Sequence, residues 1–270
     1  MTVADRIRRH RLATFFGLTF LVSWLPWPLW AAGLVPSAMF FFGPLVAALV
    51  VIGITDGVAG YRELGSRLIR WRVGWRWWAA AIGLPLAVLA LATAANVTFW
   101  GAPAPDLGAM AWGEIALLVA MRLVVPLDGP IGEEPGWRGY ALPQLQSTRS
   151  PLAAAAVLGL FAAVWHLPLV TAGQLPLIGL PVTFFITFVY VWLFDHAAGS
   201  LLLVIVFHVV QGAISPAALG FTGADAARMD WLTGALWVGL AIALVVLDRD
   251  AWRAAPVSAT AEDRRELVAG

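Results

Sequence analysis

The sequence predicts an all-α, polytopic membrane protein: one bundle of about eight transmembrane helices. Three observations predict it. Of the 270 residues, 61% are hydrophobic and only 12% are charged, whereas a soluble domain is about half apolar and a quarter charged. Apolar runs recur at close to the roughly 20 residues that cross the hydrocarbon of a bilayer. The basic residues, all arginine, gather mostly between those runs, as membrane topology requires. Cysteine is absent, which excludes disulfides and thiolate metal sites. The short arginine clusters are explained by topology and give no nucleic-acid signature.

The elements follow in order. Residues 1–12 form a basic start with Arg6, Arg8, Arg9 and Arg11, expected to be cytoplasmic. The first apolar run, 13–34, exceeds the roughly 7–15 residues of a signal-peptide core, so a retained span is expected. Further spans are expected at 37–55, 77–99, 112–128, 151–170, 176–194, 200–218 and 231–247, giving a single transmembrane domain over 13–247. Between the second and third, "YRELGSRLIRWRVGWR" spaces Leu64, Leu68 and Trp71 on one face among arginines, a helix for the cytoplasmic surface. Trp71, Trp75, Trp77, Trp78, Trp100 and Trp112 fall at expected interfaces. Both termini inside satisfies nearly every arginine, with Arg228 the main exception. Residues 248–270 are expected to be a polar, disordered tail. The segment 129–147 is helical in spacing yet half polar, and Pro126, Pro130 and Pro135 break or kink it. It is expected to continue 112–128 as one interrupted span.

Ionisable residues inside a membrane are costly and mark function by default. Here they are Glu114, Arg122, Asp128, Glu133, Glu134, Arg138, His166, Asp195, His196 and His208. Glu134 and Arg138 stand i, i+4 in the favoured acid-first order. Glu133 lies about 100° around the helix from Glu134. The turn at 147–150 makes the flanking helices antiparallel, and Glu133 and His166 are equally far from its centre, so a straight hairpin puts them level. His208 is mid-span. Glu133, His166 and His208 are thus expected to converge. A carboxylate beside an imidazole can hold and deprotonate a water. Two His and a Glu equally suit a divalent metal such as zinc that carries that water. The second His would stabilise the oxyanion, and Glu134 with Arg138 would orient Glu133. Glu114, Arg122 and Asp128 read as interfacial or packing residues, His196 beside Asp195 as a boundary residue, and Trp165 as packing. No H-E-x-x-H and no G-x-S-x-G occurs.

Three segments carry a resemblance. "GEEPGWRGYALPQLQ" resembles the E-E-x-x-x-R-G motif of the CPBP family of intramembrane proteases, the CAAX prenyl endopeptidase and bacteriocin-processing or self-immunity (Abi) proteins. "AAVWHLPL", centred on His166, and "SLLLVIVFHVVQG", centred on His208, resemble its second and third motifs. The likeness covers roughly 112–218. It implies an eight-helix peptidase, labelled a metalloprotease, in which Glu133 and His166 activate the water, Glu134 and Arg138 support the site, and His208 binds the oxyanion or a metal. Two positions depart from the pattern. The aromatic residue usual four before the second-motif His is replaced by Ala162, with Phe161 one residue early. The Asn or Asp usual four after the third-motif His is replaced by Gly212, with Gln211 beside it. One oxyanion donor is worth about 2.7–4 kcal/mol.

The expected activity is hydrolysis of a peptide bond in a membrane-bound peptide or protein, by an integral, multi-pass protein of a bacterial-type plasma membrane. Prenyl-CAAX cleavage and bacteriocin maturation or immunity both fit. One rival is a non-catalytic scaffold or immunity protein, favoured by Gly212. The other is a transporter or channel, which needs a continuous polar path and ideally repeats with interrupted helices in matching positions; the polar residues cluster in one third of the chain without such symmetry.

Overall fold

A computed structural model describes residues 2–127 and 129–256. Regular structure among them is helical throughout. Helix α1 (Val3–Arg9) begins with a capping box between Thr2 and Asp5. Helices α2 (Arg11–Trp24) and α3 (Trp27–Ala31) together form the first long apolar segment. They are followed by α4 (Gly43–Thr55), α5 (Gly57–Leu68), α6 (Trp75–Trp100) and α7 (Trp112–Val124). Then come α8 (Pro130–Gly136), a π-helical turn at Trp137–Ala141, and α9 (Leu142–Gln146). The chain continues through α10 (Pro151–Trp165), α11 (Leu167–Thr171), α12 (Gly179–His196), α13 (Leu201–Gln211), α14 (Gly223–Leu247) and α15 (Arg249–Arg253).

Five stretches are long and apolar enough to cross a bilayer: Arg11–Ala31, Trp75–Trp100, Pro151–Thr171, Gly179–His196 and Gly223–Leu247. Gly43–Thr55 and Leu201–Gln211 are apolar but shorter, about 20 Å or less at 1.5 Å per residue. The span expected at 200–218 therefore ends early, at Gln211, where Gly212 caps the helix. The interruption expected after 112–128 is present: Val125 is extended and Gly129 has φ 46°. Arg249–Arg253 add a helical turn that buries Trp252, inside the segment expected to be a tail. Residues 257–270 and Asp128 lie outside the described residues.

Local chemistry sets the breaks. Ser150 accepts from the Ala153 amide ahead of Pro151 at the first turn of α10, and Ser200 accepts from the Leu203 amide to start α13. Both are N-caps that satisfy an orphan donor. Pro168 interrupts α10 at His166, which becomes the junction with α11. At the centre, Phe15, Trp137 and Trp165 are fully buried and meet edge to face. Arg228, the exception to the arginine pattern, bonds Asn96 Oδ1 and Asp225 Oδ1, each at 2.8 Å, and lies over the Trp100 ring.

Candidate active site

The motif glycines place the site. Gly132, Gly136 and Gly139 fall at i, i+4 and i+7, on one face of the helix and its π turn. A Cβ on Gly132 would lie 3.0 Å from both the Phe41 carbonyl oxygen and the Phe42 Cα, one on Gly136 2.6 Å from the Pro44 Cβ, and one on Gly139 2.6 Å from the Leu64 Cδ1. Only glycine permits this approach, the small-residue packing that membrane helices use. With that face pressed on α4 and its surroundings, Glu134 turns toward α13 and Arg138 toward α12. Pro135 withdraws one amide from the ladder and the π turn follows, a combination common at functional sites. Arg67 of α5 donates to the Gly139 carbonyl at 2.6 Å.

Glu134 is 0% exposed and is held from two sides. Arg138 Nη1 donates to both its carboxylate oxygens at 3.1 Å, and His208 Nδ1 lies 2.8 Å from Oε1. The Arg138 guanidinium lies 4.1 Å over the Tyr190 ring and reaches Thr187 Oγ1 at 3.5 Å. The Glu134–Arg138 pair read from spacing is thus present. Glu134 also takes His208, which the sequence reading had assigned to a set with Glu133.

Glu133 is 6% exposed and makes no side-chain hydrogen bond among the described residues. Its Oε1 lies 3.5 Å from where a Cβ on Gly129 would be. His166 Nδ1 lies 2.7 Å from the Ala162 carbonyl oxygen, so the backbone of the residue standing in place of the usual aromatic orients the ring. A carbonyl only accepts, so Nδ1 carries the proton and the neutral ring presents its Nε2 lone pair. No hydrogen bond joins His166 to Glu133. Among the described residues, no three His, Asp or Glu side chains gather as a set able to hold a metal ion, so Glu133, His166 and His208 do not form the expected ligand set.

Other polar residues sort as follows. Glu114 is exposed in the first turn of α7. Asp195 accepts from Gln146, and His196 pairs with Asp248 at 3.0 Å. Both line a cavity of about 300 Å³ that shares no lining residue with the site. Trp165 is packing, against Trp137 and Phe41. Arg122, read as an interfacial or packing residue, is partly buried and lies against Gly212. A Cβ on Gly212 would lie 3.4 Å from its Cζ and well inside contact of its Nη1. Its guanidinium therefore occupies the space that a side chain at position 212 would need. Thr187 and Tyr190 also went unread. Their signal was two polar groups at i, i+3 inside an apolar span.

Residues 112–214 match the family model described as type II CAAX prenyl endopeptidase Rce1-like. The match covers all three motif histidine and glutamate segments and bears out the resemblance. No curated protein matches the chain.

Proposed function

From the match of residues 112–214 to the Rce1-like type II CAAX prenyl endopeptidase model, we propose that this chain is an intramembrane endopeptidase with Glu133 as its general base. The observation that carries the proposal is the unequal treatment of two adjacent carboxylates. Glu134 is immobilised by Arg138 and His208. Glu133 is buried beside it and makes no side-chain hydrogen bond among the described residues, and a carboxylate in that setting can take a proton from water.

In the proposed reaction, Glu133 removes a proton as the water oxygen bonds to the scissile carbonyl carbon and the C=O pair moves onto oxygen. His166 Nε2 accepts the second water hydrogen and fixes the lone pair's direction. On collapse the C=O reforms, the C–N bond breaks, and the leaving nitrogen takes the proton from Glu133. Tyr190 and Thr187 keep Arg138 in place, and Arg138 keeps Glu134 in place. The substrate is a membrane-bound peptide or protein. A prenylated CAAX-type end is the first to test, by the family's description, and a bacteriocin-type peptide the second. Both termini are proposed to be cytoplasmic in a bacterial-type plasma membrane.

The test compares peptide termini in membrane proteomes of matched cells expressing wild type or Glu133→Gln at equal abundance. New termini that require Glu133 are expected. Identical termini would sink the protease reading and leave the scaffold.

A further inference from the structure

We propose that the furrow between α12 and α14 binds one phospholipid with a zwitterionic, amine-bearing headgroup, of which phosphatidylethanolamine is the simplest. The inference goes beyond peptide hydrolysis: it uses no residue of the candidate active site, and its test needs no cleavage.

One face of α12 builds the furrow. Phe185, Phe188, Trp192 and Asp195 stand at i, i+3, i+7 and i+10, stacked along one side of the helix. Phe185 and Phe188 line an apolar cavity of about 190 Å³ with Ile242, Val245 and Val246 of α14. Trp192 and Asp195 line the cavity of about 300 Å³ with Gln146, Arg149 and Trp252. The two cavities adjoin. Pro151 lines the larger and its neighbour Leu152 the smaller, and the rings of Phe188 and Trp252, one from each, have centroids 5.9 Å apart. From Phe185 to Asp195 the helix rises about 15 Å, from an apolar end to a charged one. The ends match a bilayer. Arg149 and Gly199 line the larger cavity, Arg70 donates to the Ala198 carbonyl beside Gly199, and α15 carries Arg249 and Arg253 as well as Trp252. Arginines gathered in this way mark the level of lipid phosphates. The smaller cavity lies farther into the spans, and its Ile242 and Val246 are 51% and 47% exposed, as lipid-facing side chains are.

The charges select the headgroup. Both nitrogens of His196 are engaged, Nδ1 at 2.8 Å from the Trp192 carbonyl oxygen and Nε2 at 3.0 Å from Asp248 Oδ2. Arg149 and Asp195, both exposed, remain as one cation and one anion on the wall. Arg149 donates to Thr148 Oγ1 through Nη1, and a guanidinium has five N–H donors. Asp195 Oδ2 accepts from the Gln146 amide at 2.8 Å, and its Oδ1 makes no hydrogen bond among the described residues. A guanidinium suits a phosphate, and a carboxylate suits an ammonium. The indoles of Trp192 and Trp252 add to the preference for a cation. Trp192 is held by its Nε1 bond to Asp248 Oδ2 at 2.9 Å, and Trp252 by its Nε1 bond to the Leu244 carbonyl at 3.0 Å. A headgroup with phosphate and no amine would bring like charge to Asp195, which disfavours it. The acyl chain continues from the headgroup into the apolar cavity.

The test is native mass spectrometry of the full chain, delipidated in detergent and titrated with phosphatidylethanolamine or phosphatidylglycerol of the same acyl chains. One phosphatidylethanolamine per chain is expected, with a Kd about 10-fold or more below that of phosphatidylglycerol. Asp195→Asn is expected to bring the two lipids within about threefold of each other. Ile242→Trp, which fills the smaller cavity from an exposed position, is expected to weaken both about 10-fold. Leu117→Trp on α7, 61% exposed and outside both cavities, should weaken neither. No retained lipid, equal retention of the two lipids by wild type, an unchanged preference in Asp195→Asn or full retention in Ile242→Trp overturns the proposal. So does glycerophosphoethanolamine, the headgroup without its chains, if it is held as tightly as the lipid. If Asp195→Asn does not fold by thermal melting, Arg149→Gln decides in its place. It is expected to weaken both lipids about 10-fold, and unchanged retention there, or failure of both variants to fold, overturns the proposal.

Discussion

Gly136→Ala asks how closely the glutamate helix must approach α4. The new Cβ would sit 2.6 Å from the Pro44 Cβ and closer still to the Pro44 carbonyl group. Carbon atoms pack at about 3.5–4.0 Å, so the two helices must separate by roughly 1 Å. What stands in the way is backbone and a ring, so no side-chain tip can swing aside. Overpacking of this kind costs about 1–3 kcal/mol. The separation carries Glu133 and Glu134 with α8, while His208 stays on α13. A displacement of about 1 Å in a catalytic group is worth about 100-fold in rate. The assay pairs the unfolding midpoint in detergent with turnover on the same preparation. Gly65→Ala is the control, since its Cβ would meet nothing within 4 Å. A loss of about 1–3 kcal/mol and about 100-fold in turnover is expected for Gly136→Ala, and neither for Gly65→Ala. Wild-type midpoint and wild-type turnover in Gly136→Ala would refute the argument that this contact sets the depth of Glu133 in the site.

Two further predictions concern charges at opposite extremes of burial. Arg138→Leu leaves Glu134, 0% exposed, with His208 as its remaining hydrogen-bond partner among the described residues, and breaking a buried pair costs about 3–5 kcal/mol; adding Glu134→Gln should recover part of it, and a loss under about 1 kcal/mol in the same unfolding assay contradicts the pairing as a structural bond. At the surface, hydrogen bonds from the Thr2 side chain and backbone hold the Asp5 carboxyl below its ordinary 3.8. The capping contribution is therefore complete above pH 3.8 and lost as pH falls below it. Amide exchange in Val3–Arg9 should quicken across that lower window, and flat exchange would contradict it.

Much of the site was legible because membrane sequences punish idle charge. Glu134 and Arg138 were found from a spacing of four, and His166 and His208 from polarity in apolar runs. The level placement of Glu133 and His166 assumed a straight hairpin. The real one contains a π turn at Trp137–Ala141 and a break at His166, so equal residue counts do not give contact. Nor did spacing on one helix reveal that His208, 74 positions away, would choose Glu134 over Glu133. The place that Arg122 takes against Gly212 was not legible, because a glycine's role there is to leave room, and room has no signature in a sequence. The long spans were legible from composition alone. The short ones were drawn too long, α4 at its start and α13 at its end, because apolar character extends beyond the residues where the backbone is helical.

The bond between Arg67 and the Gly139 carbonyl has one more consequence. Helix α5 carries arginines that cannot enter hydrocarbon, so it marks the water–lipid boundary. Its grip on Gly139 ties that boundary to the glutamate helix, six residues from Glu133, about 9 Å along a helix axis. With Glu133 as the proposed base, the interface would serve as the datum of a depth gauge, presenting to it the bonds that a substrate carries at that fixed distance from its own surface anchor.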